Sequence, residues 1–229
     1  MSRITLQPAF VLHTRSFRDS SLLVSLLTLQ YGHVTLLAKG AKSRFSTRAL
    51  LSPFIPLLVS WSGKSDLPIL GKIEPNGPSY NLAGITLLSA LYVNELLVKL
   101  LPPHDAHANV YSLYQETLQH LSSNPHLALR IFEKRLLIAL GYGLQLDREM
   151  NGSEIEPNFF YYFKPGVGFL KSEAHIGEFE LFIGKSLLAL HREQFDHESM
   201  KDAKRLTQMI LQSLLGNRSI NSKDFFRQP

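Results

Sequence analysis

Cysteine is absent from the 229-residue sequence, which excludes disulfides, a thiol nucleophile and thiolate metal sites. No apolar run reaches the roughly 18–20 residues that a membrane-spanning helix needs. The opening segment MSRITLQPAFVLHTRSF has neither a continuous apolar core nor a small-residue cleavage site, so no secretory signal is expected. A cytoplasmic location without a membrane partner is the resulting expectation. Repeats and low-complexity tracts are also missing. One long stretch lacks acid altogether: no Asp or Glu occurs from Ser20 through Ser65.

What is present describes a folded chain. A hydrophobic fraction of 45% with 19% charged residues supplies a core and excludes a disordered polymer. The net charge of +5 is unevenly spread. Residues 1–80 hold nine Lys or Arg against three acids, whereas the rest holds 15 basic and 16 acidic residues. This asymmetry points to an acidic polymer as partner of the N-terminal part, although a basic surface also serves solubility alone.

Two periodicities divide the chain near residue 80. Before it, residues 8–14, 21–30, 33–39, 54–61 and 68–74 form short apolar or alternating runs separated by turn residues, which predicts five strands. A basic five-stranded unit of about 75 residues fits the oligonucleotide-binding barrel, the OB-fold. EPNGPSYNLAG (74–84) reads as a linker. Beyond it, helical periods cover 84–102, 106–123, 124–143, 183–193 and 199–216. Residues 147–180 lose periodicity, with FFYYFKPGVGFL (159–170) as a short hairpin or irregular lobe. The expected class is α+β: an OB-fold barrel over 1–78, then an α-helical domain over 79–229 with a small irregular or β lobe.

The strongest candidate site lies in HVTLLAKGAKSRFSTRALLSPF (33–54), which carries Lys39, Lys42, Arg44 and Arg48. Gly40 permits a sharp turn after the third strand, and Ser43, Ser46 and Thr47 can donate to phosphate oxygens. A loop facing a phosphate backbone is expected, with affinity falling as salt rises. Arg15 and Arg18, near Phe17, join the candidate DNA-binding set. Phe45 stands inside the basic run, and two readings stay open for it: stacking on bases or internal packing. Phe10 and Phe54 read as barrel core.

Catalysis finds little support. Paired carboxylates, a Ser-His-Asp order and a glycine-rich phosphate loop are absent, and KGAKSRFST lacks the GxxxxGK[ST] spacing. His104 and His107 lack a third ligand at metal spacing and read as surface histidines. Neither catalytic residues nor a cofactor nor a metal is expected.

In ALRIFEKRLLIALGYGL (128–144) Leu129, Phe132, Leu136, Leu137 and Leu140 form a core face, and Arg130 and Lys134, four residues apart, lie off it. A solvated cationic strip is the simplest reading; an anchor for an acidic peptide is the functional one.

These segments, together with AFVLHTRSFRDSSLL (9–23), YGHVTLLAKGAKS (31–43), LLSPFIPLLV (50–59), GITLLSALYVNELL (84–97) and the ending NSKDFFRQ (221–228), resemble the RecO family of bacterial recombination mediators. The resemblance runs collinearly along nearly the whole chain. It implies an OB-fold followed by a helical domain in a non-enzymatic DNA-repair protein, at the nucleoid. It implies binding of single- and double-stranded DNA and annealing of strands coated by single-stranded-DNA-binding protein (SSB). It also implies action with RecR in loading RecA at gaps. Lys39, Lys42, Arg44 and Arg48 would then contact phosphates, and Arg130, with Lys134 beside it, would meet the acidic C-terminal tail of SSB. Some members of the family carry a four-cysteine zinc module after the GYGL segment; without cysteine, the lobe here must be held by Phe159, Phe160, Tyr161, Tyr162 and Phe169. An RNA-binding OB module of translation or RNA processing is the alternative, and an interaction scaffold meeting an acidic protein is a third reading.

Overall fold

In the computed structural model, residues 3–43, 45–63, 65–172 and 180–222 are described. Arg44 and most of the NSKDFFRQ ending therefore lie outside the described residues. The chain divides into two compact units, Met1–Pro125 with the segment from Arg218, and His126–Asn217.

Alternating side chains build the first unit. Ala9 and Val11, Val24 and Leu26, Val34 and Leu36, and Leu57 and Val59 are spaced two apart on their strands and meet in one buried cluster. This period places one face of each strand inward. The strands are β1 (Arg3–Phe17), β2 (Ser21–Thr28), β3 (Gly32–Ala38), β4 (Leu57–Ser62) and β5 (Ile69–Pro75), and they close into a barrel in the order β1-β2-β3-β5-β4. Closure is made by a parallel contact of β3 with β5 at Leu37 and Ile69, and it leaves no open sheet edge. A short helix, α1 (Phe45–Leu50), lies between β3 and β4. All five expected strands are present.

β1 is buried on both faces over Ala9, Phe10, Val11 and Leu12 because helices cover its outer side. These are α2 (Gly84–Leu100) and α3 (Ala108–His120). Phe10 thus lies outside the barrel interior, its ring 5.5 Å from Tyr111 and 5.1 Å from Tyr114. The Tyr114 hydroxyl donates to Asn94 Oδ1 at 2.7 Å, and Asn94 Nδ2 donates to the Leu12 carbonyl at 2.9 Å. This buried relay fixes α3 to α2 and α2 to the barrel. At the β2–β3 turn Gly32 has φ +61, and a Cβ there would sit 1.7 Å from the Asp105 carbonyl oxygen, so only glycine fits.

The C-terminal segment is clasped by α2. Glu95 accepts from the backbone N–H groups of Asn221 (2.9 Å) and Ser222 (2.8 Å) and from the Ser222 hydroxyl (2.6 Å). Lys99 pairs with Glu95 at 2.5 Å and also donates to the Ser219 carbonyl.

The second unit comprises α4 (Pro125–Ala139), β6 (Phe160–Lys164), β7 (Gly168–Lys171), β8 (Leu181–Ile183), α5 (Gly184–Arg192) and α6 (His197–Leu215). Its sheet has the order β7-β6-β8. The hairpin expected at 159–170 is present, whereas β8 was not foreseen, because three residues are too few to show a period. Tyr161, Phe169 and Phe182 are buried. Of the aromatics expected to hold the lobe, Phe159 and Phe160 are exposed, and the Phe159 ring instead carries Lys171 Nζ 3.4 Å from its centre. Asp196 caps α6 by accepting from Ser199 N–H at 2.8 Å, and Gly216 ends the helix.

Candidate nucleic-acid interface

Strand register brings two basic segments together. β1 pairs with β2 up to Phe17 opposite Ser21, and β2 pairs with β3 through Leu22 opposite Ala38. The β1–β2 turn, with Arg18, and the exit of β3, with Lys39, therefore share one end of the barrel. Two hydrogen bonds tie them: Lys42 N–H donates to the Ser20 carbonyl at 3.1 Å, and Lys42 Nζ to the Arg18 carbonyl at 2.6 Å.

The segment after β3 is pinned at both ends. Ala41 and Leu51 are buried in the barrel core, so the described residues between them are held over the barrel end. Gly40 turns the chain with φ +67, and the Ser43 hydroxyl donates to its carbonyl at 3.0 Å. The loop expected over 39–48 is in fact a turn followed by the six-residue α1, none of whose residues is buried. A helix this short has no apolar face long enough to show a 3.6-residue period in the sequence.

Arg15, Arg18, Lys39 and Arg48 are exposed and Lys42 is half-buried. Among the described residues none of these five pairs with a carboxylate. Some basic groups of the second unit do pair: Arg205 with Glu180 and Asp202, Lys171 with Glu156, and Lys185 with Asp196. The Arg18 guanidinium lies 5.3 Å from the Phe17 ring centre, a cation–π contact that restricts it in water. Phe45 is 87% exposed, which decides against internal packing. Sequence reasoning named these residues but missed the Lys42–Arg18 tie, because it links positions 24 apart.

Arg130 and Lys134 are placed otherwise than expected. Both are buried, and neither stands on a solvated strip. Arg130 Nη2 donates to Glu133 Oε1 at 2.8 Å and Nη1 to Thr207 Oγ1 at 3.3 Å, while Thr207 Oγ1 donates to Glu133 Oε2. Lys134 Nζ donates to the His191 carbonyl at 2.7 Å and to Glu193 at 3.1 Å. Burial pushes the Glu193 carboxyl up, but hydrogen bonds from Arg135 and Lys134 outweigh it and hold the group below its ordinary value. The physical reason for the correction is that α5 and α6 supply partners to α4 on this side too, and buried charges persist when matched.

Among the described residues no group of three or more His, Asp or Glu could hold a metal ion. No helix among them is long and apolar enough to cross a membrane.

A closed five-stranded barrel of order 1-2-3-5-4, carrying a helix between its third and fourth strands, defines an OB-fold protein. The family model for the recombination protein O N terminal matches residues 1–78, and that for the C terminal matches residues 82–224. A DNA repair protein RecO of Coxiella burnetii is 44% identical over 229 residues, covering 97% of both chains. Its counterpart in Alkalilimnicola ehrlichii is 40% identical, covering 99% of this chain and 92% of its own. That of Vibrio cholerae is 37% identical, with coverages of 97% and 94%. The chain belongs to the RecO family, whose role lies in DNA repair and recombination.

Proposed function

We propose that this protein is a non-enzymatic recombination mediator that holds DNA at the cationic barrel end. Arg15, Arg18, Lys39, Lys42, Arg44 and Arg48 take backbone phosphates of single- and double-stranded DNA. The observation that carries the reading is that five described cations, Arg15, Arg18, Lys39, Lys42 and Arg48, pair with no carboxylate among the described residues, within a domain whose sequence holds nine basic residues against three acids. An unpaired surface cation is free to release counterions from phosphate. Neutralising two strands at once lowers their repulsion and lets complementary strands anneal. Family membership supports the rest of the role: annealing of SSB-coated strands, and action with RecR in loading RecA at gaps.

The tail of SSB is assigned to Arg130 and Lys134. Both are matched internally, so tail carboxylates would replace Glu133 and Glu193 as partners and not simply add to them.

Titration of labelled DNA and RNA strands over a salt series tests the main reading. Six phosphate contacts predict an affinity falling about 300- to 2,000-fold between 50 and 200 mM salt. Lys42→Gln and Arg48→Gln should each reduce the salt slope by about 0.7–0.9. Salt-independent binding, or binding of RNA alone, refutes it.

A further inference from the structure

Phosphate binding makes no use of Phe45, and neither does the fold. The ring opens α1, which buries none of its residues, and the segment is anchored by Ala41 and Leu51 instead. Among the described residues Phe45 has no ring partner and no cation over its face, unlike Phe17 under Arg18. An 87%-exposed phenyl ring is thus held in water at the point where the cations gather.

The surrounding charge selects the occupant. Lys39, Lys42 and Arg48 flank the ring within a stretch of sequence that has no acid. An apolar protein surface covering the ring would also have to desolvate these cations without matching them. A nucleic-acid strand matches both features, since phosphates meet the cations and a base face meets the ring. Duplex DNA does so poorly, because both faces of every internal base are already covered by neighbouring base pairs. An unpaired strand leaves faces open.

We propose that Phe45 is a base-stacking residue that makes the barrel end prefer an unpaired DNA strand to an intact duplex. The inference rests on the DNA-binding reading above and adds a specificity determinant to it. The ring neutralises no phosphate, so it contributes affinity without changing the salt dependence.

The test compares the full chain with Phe45→Ala on three labelled DNAs of equal length: an unpaired strand, a blunt duplex and an unpaired abasic strand. Stacking on one base predicts a loss of about 5- to 150-fold on the unpaired strand. Duplex and abasic affinities stay within about twofold, and the salt slope and thermal midpoint are unchanged. Phe45→Trp should keep the affinity, with its fluorescence quenched by the unpaired strand but not by the abasic one. The sole native tryptophan, Trp61, is buried, and the unmodified chain supplies its background. Equal affinity of Phe45→Ala and the unmodified chain for the unpaired strand overturns the proposal. An equal loss on all three DNAs also overturns it. If the unmodified chain binds none of them, the DNA-binding reading falls as well, a result distinct from either of the others.

Discussion

Replacing Arg130 with alanine removes a guanidinium, itself 6% exposed, from a Glu133 side chain that is 0% exposed. The carboxylate left behind keeps the Thr207 hydroxyl but loses its countercharge. Removing one partner of such a buried pair costs about 3–5 kcal/mol, whereas replacing both with apolar groups of similar volume is about neutral or stabilising. Arg130→Ala should therefore lower the melting temperature by on the order of 10 °C, followed by circular dichroism. The double variant Arg130→Met/Glu133→Leu should recover most of that loss, since the Thr207 hydroxyl, released from Glu133, can donate to the Ala203 carbonyl at 2.9 Å. Arg205→Ala, at a side chain 45% exposed, serves as the surface comparison and should cost about 0–1 kcal/mol. A double variant no more stable than Arg130→Ala would refute the buried-pair reasoning. The same folded double variant tests the tail assignment, because it removes the guanidinium and its buried countercharge together. Undiminished binding of an SSB tail peptide by that variant would show that Arg130 is not the anchor.

Tyr114→Phe leaves Asn94 Oδ1 buried without its donor and should destabilise the first unit by about 1–3 kcal/mol, measured by urea unfolding. A negligible change would mean that the relay does not hold α3. The Glu95 clasp makes an acid-range prediction. Burial pushes this carboxyl up, but hydrogen bonds from Lys99, Ser222 and Asn221 prevail and hold it at about 2, below the ordinary 4.5. The folded value lies below the unfolded one, so the contribution to stability is complete above 4.5 and is lost as pH falls through about 2. Carboxyl NMR titration of Glu95 checks the value, and a midpoint near 4.5 would refute the clasp. Glu95→Gln should raise amide exchange at Asn221 and Ser222 at neutral pH.

Strand positions were legible because burial on one face leaves a two-residue period, as at Val34 and Leu36 or Leu57 and Val59. The cations of the site were legible as types, being local facts of sequence. Their state was not. Arg48 and Lys134 look alike in the chain, yet one is exposed and the other is matched by Glu193, 59 residues away. Phe45 and Phe10 likewise differ only by what folds over them: nothing covers the first, and Tyr111 and Tyr114 cover the second.

By itself, then, the sequence determined the barrel strands, the helical segments and the acid-free basic stretch, since each follows from residues close together along the chain. Only the tertiary structure decided which charges remain free for a partner. That choice depends on where distant acids come to lie: β-strand register joins Arg18 to Lys42 at a barrel end with little acid near it, and helix packing hands Arg130 to Glu133 and Thr207.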